Sequence, residues 1–97
     1  MSSTASVKLL EEDKLLIMGR LNYQSVPLLC QQTKEILKQN MTVDLAAVEY
    51  SNSAGLALLT DWLRYARTKN FTVKFINPPA QMQAIAKVCG LLSVLGF

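Results

Sequence analysis

Residues 41–59 read MTVDLAAVEYSNSAGLALL, and this stretch decides the fold class. Met41–Leu45 is apolar and β-branched, the pattern of a short buried strand that pairs in parallel with a neighbour. A loop over Ala46–Ser53 is expected to follow, and a helix to open at Ala54-Gly55 and run to about Lys69, closed by Asn70. A strand feeding directly into a long helix is the unit from which parallel sheets are built.

Working outward from it, the same alternation recurs on both sides. Upstream, Val7–Leu10 and Lys14–Gly19 are short apolar runs separated by Glu11-Glu12-Asp13, a hairpin whose second strand is expected to end at Gly19. Ser25 and Pro27 then suggest a helix start, with the Ser25 hydroxyl at the cap. Val26, Leu29, Cys30, Thr33, Ile36 and Leu37 recur at helical spacing to about Gln39. Downstream, Phe71–Ile76 reads as a strand and Asn77-Pro78-Pro79 breaks it. Met82, Ile85, Ala86 and Cys89 mark a third helix ended by Gly90, and the apolar tail Leu91–Phe97 is expected to pack back on the domain. The expected order is β-β-α-β-α-β-α: one α/β domain over residues 1–97, with a four-stranded, mostly parallel sheet, an antiparallel edge and a covering of helices.

Size and composition agree. A chain of 97 residues fits one domain and can bury roughly 60–65% of its unfolded surface. The formal charge of +3 comes from ten scattered Lys and Arg. Their densest group, Arg64, Arg67 and Lys69, reads as a solvated face near a helix end, which argues against nucleic acid. Cys30 and Cys89 fall in apolar-periodic segments and are expected to be buried; with no His, the usual zinc sets are excluded. The opening MSSTASVKLL lacks the layout of a secretory signal, and no stretch reaches the ~20 apolar residues of a spanning helix. A cytoplasmic setting without direct membrane insertion is the expectation.

Chemistry has few carriers. No phosphate loop, nucleophile elbow or dinucleotide fingerprint occurs. Of the seven carboxylates only Asp44 and Glu49 flank a strand end, and Asp44 is expected to satisfy backbone amides. The expectation is a protein that is not an enzyme, with no cofactor and no metal.

The docking candidates lie at the junction quoted first. Asn52, Ser53, Ala54 and Gly55 stand where backbone N–H groups converge at a helix start. Ser53 is the expected N-cap. A second reading displays its hydroxyl to a partner or a kinase, and phosphorylation would add about two negative charges there. Along the helix, Leu56, Leu59, Leu63 and Ala66 form the expected core stripe. Leu58, Trp62 and Tyr65 form an apolar shoulder beside it, wider than one sheet contact needs and rich in the residue types that anchor interfaces.

The strand Val43-Asp44-Leu45, the element order and the sequence Asn52-Ser53-Ala54-Gly55-Leu56 resemble the STAS family, domains named for sulfate transporters and anti-sigma factor antagonists. The resemblance spans essentially the whole chain, and Gly55–Leu59 is most similar to the small stand-alone STAS subunits of Mla-type phospholipid-transport ABC systems. It implies a subunit that binds a cytoplasmic ATPase, and so sits peripherally at the inner membrane and supports outer-membrane lipid asymmetry. Ser53 would be part of the contact. The absence of a spanning segment in this polypeptide speaks against the sulfate-transporter arrangement. The alternative is an anti-sigma factor antagonist with an anti-sigma kinase as partner and Ser53 as the phosphorylated residue. In that branch Asp is usual before the hydroxyl residue, where this chain has Asn52.

Overall fold

A computed structural model describes residues 5–97. The chain opens on an antiparallel hairpin, β1 (Ala5–Glu11) and β2 (Lys14–Leu21), turned by Glu12-Asp13. A helix, α1 (Val26–Lys34), carries the chain over to β3 (Met41–Ser51), which pairs in parallel with β2. A second helix, α2 (Ser53–Thr68), crosses to β4 (Val73–Ile76), parallel to β3. The sheet order is β1-β2-β3-β4, the order of the chain. The parallel pairs follow from the connections, because strands running the same way need a long crossover, and here each is a helix. Two more helices close the domain, α3 (Ala80–Val88) and the short α4 (Leu92–Leu95).

Only one face of the sheet is buried. Leu15 and Ile17 of β2, Met41, Val43 and Leu45 of β3, and Val73 and Phe75 of β4 point into one apolar cluster shared with all four helices. Their neighbours Leu16, Met18, Thr42 and Asp44 are half-buried and Lys74 is exposed. The shortest molecular dimension, 20 Å, is that of one sheet layer and one helix layer. Within the helix layer α2 lies in the middle, flanked by α1 on one side and by α3 and α4 on the other.

The central strand is longer than the sequence pattern suggests. β3 continues through the expected loop to Ser51, pairing Met18 with Ala47 and Leu21 with Ser51. It carries two more residues than β2 over the paired stretch, taken up by register shifts at Leu16/Met18 and Gly19/Arg20. Bulges of this kind re-aim side chains, so the buried residues Leu45, Val48 and Ser51 fall three apart instead of two. That spacing hides the strand from a period-two search. Gly19 does not end β2 but sits inside it with φ +94°, a conformation glycine adopts without steric cost, beside the second shift.

Other boundaries also moved. α1 stops at Lys34 rather than Gln39, and the amides of Ile36 and Leu37 both turn back to the Thr33 carbonyl at 2.9 Å, which buries Leu37. Ser25 stands at the start of α1 without capping it. Its hydroxyl accepts from the Asn22 amide and donates to the Arg20 carbonyl at 2.7 Å, bracing the β2–α1 turn instead. Asn70 closes α2 as expected, in the left-handed region at φ +62°. The tail does pack back, with Leu95 buried and Leu91, Leu92 and Phe97 against the core. Cys30 is half-buried, whereas Cys89 is exposed, contrary to expectation: it lies just beyond the last residue of α3, past the Met82–Ala86 face that turns inward.

Candidate functional site

The junction of β3 and α2 is built by hydrogen bonds that the local sequence dictates. Asn52 donates its amide to the Leu21 carbonyl at 3.1 Å, the last rung between β2 and β3. Its backbone is extended (φ −100°, ψ −168°), and its side-chain oxygen accepts from the Ala54 amide at 2.8 Å. Asn52 is therefore the N-cap of α2, and the expectation that Ser53 caps is corrected. An Asn at this position reaches the amide two residues on and satisfies a donor that the helix leaves open. Replacing Asn52 by Ala is expected to cost about 1 kcal/mol in urea unfolding. Asp there should cap as well as Asn, so Asn52 and Asp differ in charge and not in capping.

Behind the cap the packing is close. Gln81 of α3 clamps Ser51, accepting from its amide at 3.0 Å and donating to its carbonyl at 2.7 Å. The buried Ser51 hydroxyl donates to the Asn52 carbonyl at 2.9 Å. Gly55 rests against this group and against Leu21, so α2 begins with its backbone nearly touching the strand ends.

Relieved of capping, Ser53 is the first residue of α2 and its side chain faces out. Its oxygen lies 2.9 Å from the Tyr23 hydroxyl, and Tyr23 is 72% exposed. Beside this pair, between α1 and α2, runs a cleft of about 400 Å³ lined by Tyr23, Val26, Pro27, Ala54, Ala57 and Leu58, with Cys30 and Asp61 toward its far end. Its walls are almost wholly apolar. Asp61 pairs with Lys34 at 3.0 Å, tying α1 to α2; at this exposure the pair contributes at most about 1 kcal/mol. The Asp61 partner raises the Lys34 pKa above its ordinary value, and burial pushes the Cys30 thiol up, so Cys30 presents a neutral wall.

The expected Leu58–Trp62–Tyr65 shoulder comes apart in the structure. Trp62 has no exposed surface and Leu58 is 2% exposed, at the floor of the cleft. Tyr65 is half-buried, edge-on to Phe71 and near the ammonium groups of Lys34 and Lys69. The wide apolar arc of α2 is consumed inside the molecule, because α2 has helices on both flanks as well as the sheet beneath. Tyr23 and Leu28, 72% and 61% exposed, are large apolar side chains at the surface of α1 and its approach, and both escaped the sequence reading. Leu28 was legible as the one large apolar residue off the α1 stripe; Tyr23 carried no signal inside a polar connection.

Little else is chemically poised. Asp44 accepts from the Ala46 amide at 2.9 Å and from the Asn77 side chain at 3.2 Å, a structural role as expected. Among the described residues no cluster of His, Cys, Asp or Glu could hold a metal ion, and no helix is long and apolar enough to cross a membrane.

A family model described as "Mlab, STAS domain" matches residues 5–96. The chain belongs to the STAS family. This STAS domain is 32% identical over 84 residues to the intermembrane phospholipid transport system binding protein MlaB of Haemophilus influenzae, covering 79% of each chain. Two solved STAS-like structures are similar in fold. The anti-sigma factor antagonist SpoIIAA in its unphosphorylated form has a TM-score of 0.71 at 13% identity, over 90% of this chain and 81% of that one. The murine Solute Carrier 26 family member A9 anion transporter has a TM-score of 0.66 at 10% identity, over 95% of this chain but only 19% of the transporter. At such identities these two likenesses speak to the STAS fold alone.

Proposed function

We propose that this STAS protein is a non-catalytic accessory subunit of an Mla-type phospholipid-transport ABC complex. It binds the ATPase subunit and supports its work in keeping the outer membrane's lipids asymmetric. Such a subunit stays on the cytoplasmic side and reaches the inner membrane only through its partner. It needs no cofactor of its own, since ATP belongs to the ATPase. The likeness to MlaB supports the choice of complex. The observation that carries the docking face is the outward Ser53 hydroxyl at the mouth of an apolar cleft. A partner helix or loop can set an apolar side chain between α1 and α2 and hydrogen-bond the Ser53–Tyr23 pair, with Asn52, Ala54 and Gly55 fixing the geometry. Such a combination of apolar anchor and oriented polar group is how compact interfaces gain affinity.

The test is Ser53→Glu. A carboxylate in the first turn of α2 suits the helix dipole, so the unfolding midpoint should hold or rise slightly. Binding should fall by roughly tenfold or more, because an unpaired charge would enter the contact. Affinity capture from the native cell, with and without the substitution, reads this directly: recovery of an ABC ATPase by the unsubstituted chain, lost in the variant, is the expected result. Recovery of a kinase-like anti-sigma factor without any ATPase would overturn the proposal. That alternative rests on the same exposure of Ser53, which leaves its hydroxyl open to a kinase, and substantial phosphate on Ser53 in native protein would favour it.

A further inference from the structure

A second cleft is larger than the one beside Ser53. It lies on the opposite flank of α2, between the C-terminal half of that helix, the approach to β4, and α4, and has a volume of about 560 Å³. That is within the range of roughly 300–1,000 Å³ typical of small-molecule sites. Its floor and far wall are apolar: Leu63, Phe71, Val73 and Val94. Val94 is 54% exposed, a branched aliphatic side chain at the open edge of the cleft. Arg64 and Arg67, one turn apart on α2, supply its cationic wall.

Among the described residues neither arginine has a carboxylate partner. The one ion pair among the described residues is Lys34–Asp61, and it holds the nearest acidic residue of α2 against α1, on the other flank. Two guanidinium groups beside an apolar trough make a definite chemical demand. A neutral apolar ligand would leave both charges unused, and a small hydrophilic anion would leave the trough wet. Guanidinium groups prefer carboxylate and phosphate oxygens, which they can bind in a two-point fork.

We propose that this cleft is a binding site for an anionic amphiphile, one with a carboxylate or phosphate-monoester head held by Arg64 and Arg67 and an apolar chain lying over Phe71, Val73 and Val94. The site goes beyond the docking face and does not depend on it, since α2 separates the two. Such a head could belong to a free single-chain acid or to a lipid in a bilayer surface.

The test is an amide and arginine-side-chain NMR titration of the full chain with octyl phosphate and with octanoate, each kept below its micelle concentration, against octyl glucoside. Saturable shifts at Arg64, Arg67, Phe71–Val73 and Val94 are expected with the two anions and not with the neutral analogue. The pair Arg64→Gln and Arg67→Gln, both at exposed positions, should keep the fold and weaken binding roughly tenfold or more. The pair Arg64→Lys and Arg67→Lys should keep part of the affinity, and added salt should weaken it. Co-sedimentation with phosphatidylcholine vesicles containing phosphatidic acid, whose head is a phosphate monoester, measured against phosphatidylcholine alone, separates the sources: binding lost in the Gln pair assigns a bilayer head group, and binding to the octyl anions alone assigns a free amphiphile. Equal affinity for octyl glucoside, shifts confined to the Ser53 cleft, or no saturation with either anion would overturn the proposal.

Discussion

Trp62→Ala is expected to remove about 3–5 kcal/mol of folding stability, the usual cost of emptying a buried tryptophan site. A domain of this size has roughly 5–15 kcal/mol in total, so the variant should be marginal or partly unfolded at room temperature. Trp62 has no exposed surface and joins the cluster that runs from Leu15 and Ile17 through Leu45 to Met82 and Ala86. It is the sole tryptophan, so the unmodified chain should show a blue-shifted emission that moves red cooperatively in urea. Trp62→Phe supplies the control. The indole N–H is buried without a hydrogen-bond partner, and Phe removes that donor while keeping most of the ring volume. Its cost should be a fraction of the Ala value. If Trp62→Ala instead unfolded like the parent and lost only partner binding, the buried position would be wrong and the tryptophan would belong to an interface.

Gly55→Ala should be destabilising by about 1–3 kcal/mol, measured as a drop in urea midpoint at unchanged slope. Helix propensity alone predicts the opposite sign, since Ala is better than Gly within a helix by about 1 kcal/mol. Contact decides the outcome. A Cβ at Gly55 would overlap the Ser51 hydroxyl and stand 2.8 Å from the Leu21 Cβ, which belongs to a strand and has little freedom to move. Removing the hydroxyl in Gly55→Ala with Ser51→Ala should restore part of the loss, because the two sites share one contact. Restoration cannot be complete while Leu21 remains in place. A midpoint equal to or above that of the parent would show that α2 can slide away from the strand ends, and that its start is not held as tightly as Gln81 and Asn52 suggest.

Gly55→Ala and Ser53→Glu together separate what these two residues do. They are two residues apart in one short motif, yet Gly55 faces into the molecule and Ser53 faces out. Substitution at Gly55 should disturb the fold and any binding together. Substitution at Ser53 should disturb binding alone.

Much of this architecture was legible in the residues. The hairpin, the alternation of strands and helices, the closing Asn70 and the returning tail all follow from local signals: apolar periodicity, turn residues and helix stops. These act over a few residues, and the element order they imply survived, although the strand end at Gly19 and the helix stop near Gln39 did not. The STAS resemblance through Asn52–Leu56 also held, because a strand end feeding a capped helix over a close glycine contact needs particular residue types at set spacing.

Three things required the tertiary structure. β3 ran past its apparent end because two bulges against β2 changed the spacing of its buried residues, and register is a property of a pair of strands. The capping hydroxyl proved to be a side-chain amide, because Asn52 and Ser53 are both good caps and only the path of the chain as β3 leaves its last rung on Leu21 chooses between them. The apolar arc of α2 looked too wide for a helix lying on a sheet, and would be if the sheet were its only neighbour. Sequence determined how much of α2 is apolar; which part reaches the surface was decided by α1, α3 and α4, whose packing buries Leu58 and Trp62 and leaves Ser53 outside.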